Sequence, residues 1–283
     1  MNTLLSKVKA SDVIAEPFPH IVIRDAIDED LCAKLVADYP SIDTLIQSKD
    51  NQQSTISSNV RFHYLAEDTL RDEQISPVWK EFIRLHSSNV FLQQFIDIFK
   101  EHILHLYPNF EQDYGSFESL NSGVRKIDTF DTSNVLLDTL ICVNTPVTTR
   151  PTSVRGPHID LPDKLFAGLF YLRDPQDKST GGNLDLYRFK KGKVQGFRNY
   201  EIASSSYVEL VKTVEYGRNV LVLFLNSIHS LHGVSPRSLT NYPRYFVNLV
   251  GEVEKPLFSN KQYQEANHIK YWRRVKKVIN TFQ

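Results

Sequence analysis

A histidine and an aspartate stand two residues apart in the segment RGPHIDLPDKLFAGLFYLRD, directly before a long apolar run. Side chains at positions i and i+2 of an extended backbone point to the same side, so His158 and Asp160 are expected to lie side by side. Burying two such polar groups is costly unless they have a partner. An imidazole nitrogen and a carboxylate oxygen together suit a first-row transition metal, and the pair therefore indicates a metal site.

A second histidine would complete such a site, and the segment NVLVLFLNSIHSLHGVSPR supplies two candidates, His229 and His232. Two histidines plus one carboxylate form the facial triad of non-haem Fe(II) oxygenases. Taken alone, either histidine is better explained as a hydrogen-bonded structural residue. The combination with the upstream pair is what favours a metal site.

Two arginines, Arg237 and Arg244, follow these histidines in the sequence and differ in their surroundings. Arg244 opens the apolar segment RYFVNLV, where a buried charge needs an anionic partner. A dicarboxylate would supply one, because a guanidinium binds a carboxylate through two parallel hydrogen bonds. Arg237 follows Pro236 in the polar segment PRSLTNYP, and its charge is expected to stay in water.

Composition limits the classes of protein that fit. The chain has 283 residues, of which 41% are hydrophobic and 23% are charged, as in a globular protein with a large core. Its 33 Lys and Arg balance 33 Asp and Glu, so neither nucleic acid nor a membrane is an expected partner. Cys32 and Cys142 lie in apolar surroundings and no segment reaches membrane-spanning length, which together favour a cytoplasmic protein.

The N-terminal part of the chain is predicted to supply one strand and several supporting helices. Residues 18–40 have the pattern of a strand followed by a helix, whereas 41–75 show no firm period and are predicted to be surface loops. Helical signals return at Ser76, which precedes Pro77, and again after Ser88. These helices are expected to cover one side of a sheet.

From about residue 135 onward, strand-like segments follow one another between turn signals, with no helices between them. This pattern favours a sandwich or barrel over an open parallel sheet. The last residues, 253–283, are predicted to be a helical extension, docked with one solvated face or offering a basic face to a partner. A single domain, 1–283, is expected, with supporting elements in 18–134 and the β core in 135–252.

The motifs of the β core run in the order HID, GGNLDLY, GRNVLVLF, LHGVSP and RYFVNLV. In this order they resemble the Fe(II)- and 2-oxoglutarate-dependent oxygenases, closest to the prolyl-4-hydroxylase-like branch. The segment PFPHIVIRDAIDEDLCAKLVADYP also looks like the first strand and helix of that family. The resemblance covers about 18–40 and 140–252, or half the chain. The His-x-Asp motif alone is a weak signal, whereas the ordered set is strong.

The resemblance implies a mainly β chain with flanking helices, built on a double-stranded β-helix, the cupin-like jelly roll. It implies that His158, Asp160 and His232 bind Fe(II) and that Arg244 holds the distal carboxylate of 2-oxoglutarate. His229 is not at the ligand position. The implied cofactors are Fe(II), 2-oxoglutarate as co-substrate and O2, and ascorbate is a further candidate. The implied reaction releases succinate and CO2 and hydroxylates an unactivated C–H bond, because Asp160 is present where related halogenases have a small residue.

Three further residues near these motifs each have two interpretations. Asn144 lies on the strand before the metal pair and either binds 2-oxoglutarate or is a satisfied amide at a strand end. Tyr171 either reaches the co-substrate or belongs to the core. Arg155 either binds an anionic substrate or is an ordinary surface charge. The carboxylates of DPQDKSTGG are expected to lie in a polar hairpin loop.

Other classes of function stay open. A cupin-like barrel would bind a metal or another ligand without turnover, and an interaction protein would depend mainly on its basic C-terminal helix. A free amino acid, a peptidyl side chain, a carbohydrate precursor and a carrier-bound intermediate all fit as substrates. The segments 41–75, 111–134 and 188–206 are expected to shape the substrate pocket.

Overall fold

The structure is a computed structural model that describes residues 1–48, 51 and 55–265. In this part of the chain the helices are α1 (Glu29–Ala37), α2 (Ile42–Ile46), α3 (Ala66–Arg71), α4 (Pro77–His86), α5 (Asn89–Leu106) and α6 (Phe110–Tyr114). The strands are β1 (His20–Arg24), β2 (Arg61–Tyr64), β3 (Ser122–Val124), β4 (Val135–Asn144), β5 (Lys164–Leu172), β6 (Leu184–Phe189), β7 (Phe197–Arg198), β8 (Glu201–Ile202), β9 (Val208–Val214), β10 (Arg218–Leu225), β11 (His232–Val234) and β12 (Arg244–Val253).

Two antiparallel sheets form the body of the protein. The larger sheet has the strand order β1-β10-β5-β12-β4-β2, and β3 joins it by parallel pairing with β4. The smaller sheet has the order β11-β6-β9, and β7 pairs with β8 beside it. Neighbouring strands are distant in sequence, as they are in a jelly roll. The fold is therefore mainly β with flanking helices, as the sequence predicts.

The larger sheet is the middle layer of the protein, because both of its faces are buried. Every residue of β4 is buried. Alternate side chains of this strand point to opposite faces. Ile141 packs in the cluster that contains the helices, and Leu140 packs in the cluster that reaches the smaller sheet. Large aromatic side chains of α4 and α5 fill the helix side, with Trp79, Phe82, Phe91 and Phe95 fully buried.

The predicted helices and strands are largely confirmed. Ser76 and Ser88 are the N-cap residues of α4 and α5, and each strand-like segment after residue 135 forms a strand. The prediction of surface loops for 41–75 is wrong, because this segment contains α2, β2 and α3. The strand β2 has only four residues, which is too short for a periodic pattern to stand out in the sequence.

The C-terminal prediction is only partly covered by the structure. The prediction of a helix is wrong for 253–265, because this segment contains the end of β12 and a 3-10 turn, Lys261–Tyr263, and no α-helix, whereas 266–283 lies outside the described residues. Both cysteines, Cys32 and Cys142, are free and buried, as expected. Within the described part of the chain, no helix combines the length and the apolar character needed to cross a bilayer.

Candidate metal and co-substrate site

The side chains of His158, Asp160 and His232 converge at one end of the smaller sheet. One potential ligand atom from each lies within 4.8 Å of those of the other two, and all three residues are buried. His232 is the first residue of β11, and its backbone exchanges hydrogen bonds of 2.8 and 2.9 Å with that of His158. The His-x-Asp segment lies before β5, which begins at Lys164. Its extended backbone is therefore held by the pairing with His232 and not by β5.

Both imidazoles are oriented by hydrogen bonds to backbone carbonyls. The Nδ1 atom of His158 lies 2.8 Å from Gly156 O, and that of His232 lies 2.9 Å from Ser230 O. A carbonyl oxygen only accepts, so Nδ1 carries the proton in each ring and Nε2 keeps its lone pair. Such a carbonyl partner for the second nitrogen is the usual arrangement of a metal-binding histidine.

The electrostatic surroundings keep the three groups in the protonation states that bind metals. Burial lowers the pKa of His158 well below its ordinary value, and His232 lowers it further. Burial also lowers the pKa of His232. For Asp160, burial alone would raise the pKa, but the positive charge of Lys164, together with the nearby histidines and Arg155, outweighs burial and holds it below its ordinary range. Neutral imidazoles and an ionised carboxylate are the forms that coordinate a metal.

Arg244 is buried at the start of β12 without a carboxylate partner in the described part of the chain. Its Nε donates to Gly182 O at 2.8 Å, Nη1 to Asn144 Oδ1 at 3.3 Å, and Nη2 to the Tyr171 hydroxyl at 3.1 Å. All three acceptors are neutral, although the residue is only 3% exposed. A buried charge with neutral partners alone is costly, and an anionic ligand would lower that cost.

Asn144 lies beside this guanidinium because the strand register pairs it directly with Arg244. Its Oδ1 accepts from Arg244, whereas its buried Nδ2 has no hydrogen-bond partner among the described residues. An unpaired buried donor is unusual and marks a point where a ligand acceptor would fit. The structure therefore does not contain the fully satisfied amide that was one interpretation of Asn144.

Tyr171 is fully buried and its hydroxyl accepts a hydrogen bond from Arg244. It is not among the described residues that line the adjacent cavity.

The expectation that Arg237 stays in water is wrong. The residue is 1% exposed, its Nη2 lies 2.8 Å from Asp177 Oδ2, and its Nε donates to the Ser179 hydroxyl at 3.0 Å. The expected polar hairpin loop is likewise wrong for Asp177, which is buried in this ion pair. Because Arg237 already has a carboxylate partner, it differs from Arg244, whose described partners are all neutral.

A cavity of about 860 Å³ joins the three convergent ligand residues to Arg244 and Asn144. Of the segments expected to shape the pocket, 41–75 contributes several lining residues and 188–206 contributes Glu201. The described lining includes no residue of 111–134. His229 is exposed and is not part of the convergent group. The sequence interpretation missed Arg61 and Lys164, which also line the cavity.

Comparison with known proteins shows similarity at the level of the fold. No family model and no curated protein matches the sequence. Among solved structures, a proposed oxygenase from Shewanella oneidensis aligns over 97% of this chain and 93% of its own, with a TM-score of 0.52 and 10% identity. A prolyl 4-hydroxylase from Phytophthora capsici aligns over 89% of this chain, which spans only 65% of that one, with a TM-score of 0.49 and 16% identity.

A third similar structure is the epimerase SnoN in complex with Fe3+, alpha ketoglutarate and nogalamycin RO, at a TM-score of 0.48 and 10% identity, over 83% of this chain and 78% of its own. The similar structures are therefore an oxygenase, a prolyl 4-hydroxylase and an epimerase, none more than 16% identical to this chain. At these identities the likeness concerns the fold, and the chemistry of the site must be argued from its own residues.

Proposed function

We propose that this protein is an Fe(II)- and 2-oxoglutarate-dependent dioxygenase that hydroxylates an unactivated C–H bond of a small-molecule, peptidyl or carrier-bound substrate. One observation carries the proposal. The same cavity is lined by two histidines and an aspartate with convergent ligand atoms, by a buried arginine with only neutral described partners, and by a buried amide nitrogen that lacks one. A cytoplasmic location and a single domain, 1–283, belong to the proposal as well.

In this proposal His158, Asp160 and His232 hold the iron. Each histidine would offer Nε2, because its Nδ1 proton is engaged by a backbone carbonyl. Asp160 would offer a carboxylate oxygen, which Lys164 and Arg155 keep ionised. Two histidines and one carboxylate suit Fe(II) and leave coordination positions open.

Arg244 and Asn144 would hold 2-oxoglutarate. The guanidinium of Arg244 would bind the distal carboxylate, and Asn144 Nδ2 would donate a hydrogen bond to a co-substrate oxygen. Tyr171 and Gly182 orient Arg244 by accepting hydrogen bonds from its guanidinium. When bound, Fe(II) and 2-oxoglutarate supply with O2 the oxidising power for hydroxylation, with release of succinate and CO2.

Anaerobic metal and co-substrate binding tests the proposal most directly. The purified chain should bind one Fe(II), and 2-oxoglutarate should then change the absorption spectrum of the metal site. Admission of O2 should produce succinate, and His158→Ala should abolish both signals. If 2-oxoglutarate leaves the metal spectrum of the unsubstituted protein unchanged, the co-substrate assignment is wrong. Metal binding without succinate formation in the presence of a substrate panel would instead indicate a cupin-like binding barrel.

A further inference from the structure

The cavity holds more positive charge than the proposed cofactors require. Its charged lining residues are the cations Arg61, Arg155, Lys164 and Arg244 and the carboxylates Asp160 and Glu201. If Arg244 binds 2-oxoglutarate and Asp160 binds the metal, three cations face a single carboxylate. A cleft with an excess of one charge raises the local concentration of ligands of the opposite charge.

Arg61 is placed in this cavity by the register of the larger sheet. It pairs directly with Asn144 across β2 and β4, and Asn144 pairs directly with Arg244 across β4 and β12. Residues directly opposite each other on adjacent strands share a face of the sheet. The two arginines therefore stand on the same face, one on either side of the amide that has an unpaired nitrogen.

The guanidinium of Arg61 is held by uncharged groups. Its centre lies 5.3 Å from the centroid of the Phe246 ring, and Nη2 lies 3.5 Å from Cys142 Sγ. When the Asn248 amide is oriented so that its nitrogen donates to Gly168 O, its oxygen also accepts from Arg61 Nη2 at 3.2 Å. No carboxylate among the described residues pairs with Arg61. Arg61 is thus an exposed residue that lines the cavity, and its charge is available to a ligand.

Asp160 is a carboxylate partner of both Arg155 and Lys164. Lys164 Nζ lies 3.5 Å from Asp160 Oδ1, and Arg155 Nη1 lies 4.0 Å from the same oxygen. A dication bound to Asp160 would cancel the charge that attracts both side chains. Arg155 would keep only Glu201, whose carboxylate lies 3.6 Å away and is 63% exposed. Loading the site with metal would therefore leave Lys164 without its described carboxylate partner and Arg155 with Glu201 alone.

We propose that the substrate of this enzyme is a small molecule carrying an oxyanion group, and that Arg61 and Arg155 bind that group. This inference rests on the proposed oxygenase function, because it assigns Arg244 and Asp160 to the cofactors. Carboxylate, phosphate and sulfate groups each offer two neighbouring oxygen atoms. A guanidinium can donate a parallel hydrogen bond to each of these two atoms. The cavity volume of about 860 Å³ is in the range of sites for small molecules.

Titration with sulfate tests the anion site without knowledge of the substrate. Sulfate is added to the protein loaded with Fe(II) and 2-oxoglutarate under argon, at ionic strength kept constant with chloride, and binding is followed by calorimetry. We expect saturable binding that weakens about tenfold in Arg61→Gln and in Arg155→Gln, since each removes a charge-assisted hydrogen bond. Arg84→Gln is the matched control, because Arg84 is exposed on α4 and is not among the described lining residues.

The affinity for 2-oxoglutarate, measured in the same variants, separates the two proposals. In the two cavity variants it should change less than the affinity for sulfate does. Normal 2-oxoglutarate binding by the unsubstituted protein without saturable sulfate binding, or equal sulfate binding by all variants, would overturn the anion site alone. Absence of 2-oxoglutarate binding in the unsubstituted protein would overturn the proposed function and, with it, the substrate role of these arginines.

A panel of matched compounds then identifies the group. Carboxylates, phosphate monoesters and sulfate esters are each compared with a neutral counterpart, such as the methyl ester, for stimulation of succinate formation. Stimulation by acids of one kind but not by their neutral counterparts supports the proposal and names the oxyanion. Stimulation by neutral compounds, or by acidic peptides alone, contradicts it.

Discussion

Replacement of Arg244 by lysine should weaken 2-oxoglutarate binding while leaving metal binding in place. The arginine donates simultaneously to Gly182, Asn144 and Tyr171, and its planar fork is oriented by these bonds. A lysine keeps the charge but cannot reproduce three fixed donors and still bind a carboxylate through two parallel hydrogen bonds. Loss of one charge-assisted hydrogen bond costs about 1.5–3 kcal/mol, which corresponds to a loss of affinity of about tenfold to a hundredfold.

The assay is anaerobic calorimetry of 2-oxoglutarate binding to the Fe(II)-loaded protein. Arg173→Lys is the matched control, because Arg173 and Arg244 both lie against the ring of Tyr216, at 5.3 and 5.0 Å from its centroid. Arg173 is not among the described residues that line the cavity, so its replacement should leave the affinity within about twofold, or about 0.4 kcal/mol. An unchanged affinity in Arg244→Lys, or a larger loss in Arg173→Lys, would refute the assignment of Arg244.

Three other predictions concern the metal, a buried histidine and a buried ion pair. Alanine at His158 or His232 should abolish Fe(II) binding, measured as the metal retained after gel filtration. Alanine at the exposed His229 should leave Fe(II) binding intact, and a greater loss of metal at His229 would contradict the proposed ligands. Burial lowers the pKa of His86 to about 4, so only the unfolded state gains a proton as the pH falls from about 6.5 to 4. The free energy of unfolding should therefore decrease as the pH is lowered across that range, by up to about 3 kcal/mol relative to His86→Gln. A pH dependence of unfolding that is the same in both proteins would be inconsistent with this. Asp177→Asn breaks the buried ion pair with Arg237 and should lower the free energy of unfolding by about 3–5 kcal/mol, measured by denaturant titration. A loss below about 1 kcal/mol would contradict the inference that this ion pair stabilises the fold.

The motif residues could be predicted from sequence because their chemistry restricts the residue types. A histidine two residues from an aspartate, a later histidine and an arginine in an apolar run are each weak signals alone, but their combination and order favour one kind of site. The structure brings the first three together and buries the arginine near them, in the same cavity. The long strands were also predictable, because β4 and β12 have ten residues each and are mostly apolar.

The rest could not be predicted, since it depends on tertiary pairing. The strand β2 is four residues long and lies at the edge of its sheet, so the sequence around Arg61 has no detectable period. The ion pair of Arg237 and Asp177 joins residues 60 positions apart, and nothing local distinguishes either from a solvated charge. In both cases the position of the side chain depends on strands or residues that are distant in sequence.

The candidate site is divided between the two sheets, and this division has a physical consequence. His232 belongs to the smaller sheet, whereas Asn144 and Arg244 belong to the larger one. A molecule bound at both ends, as 2-oxoglutarate would be, therefore spans the gap between the sheets. That gap is set by the apolar cluster between them, to which Leu186 contributes from the smaller sheet and Phe246 from the larger. Because protein interiors are close-packed, this core fixes the distance between the proposed metal ligand His232 and the guanidinium of Arg244.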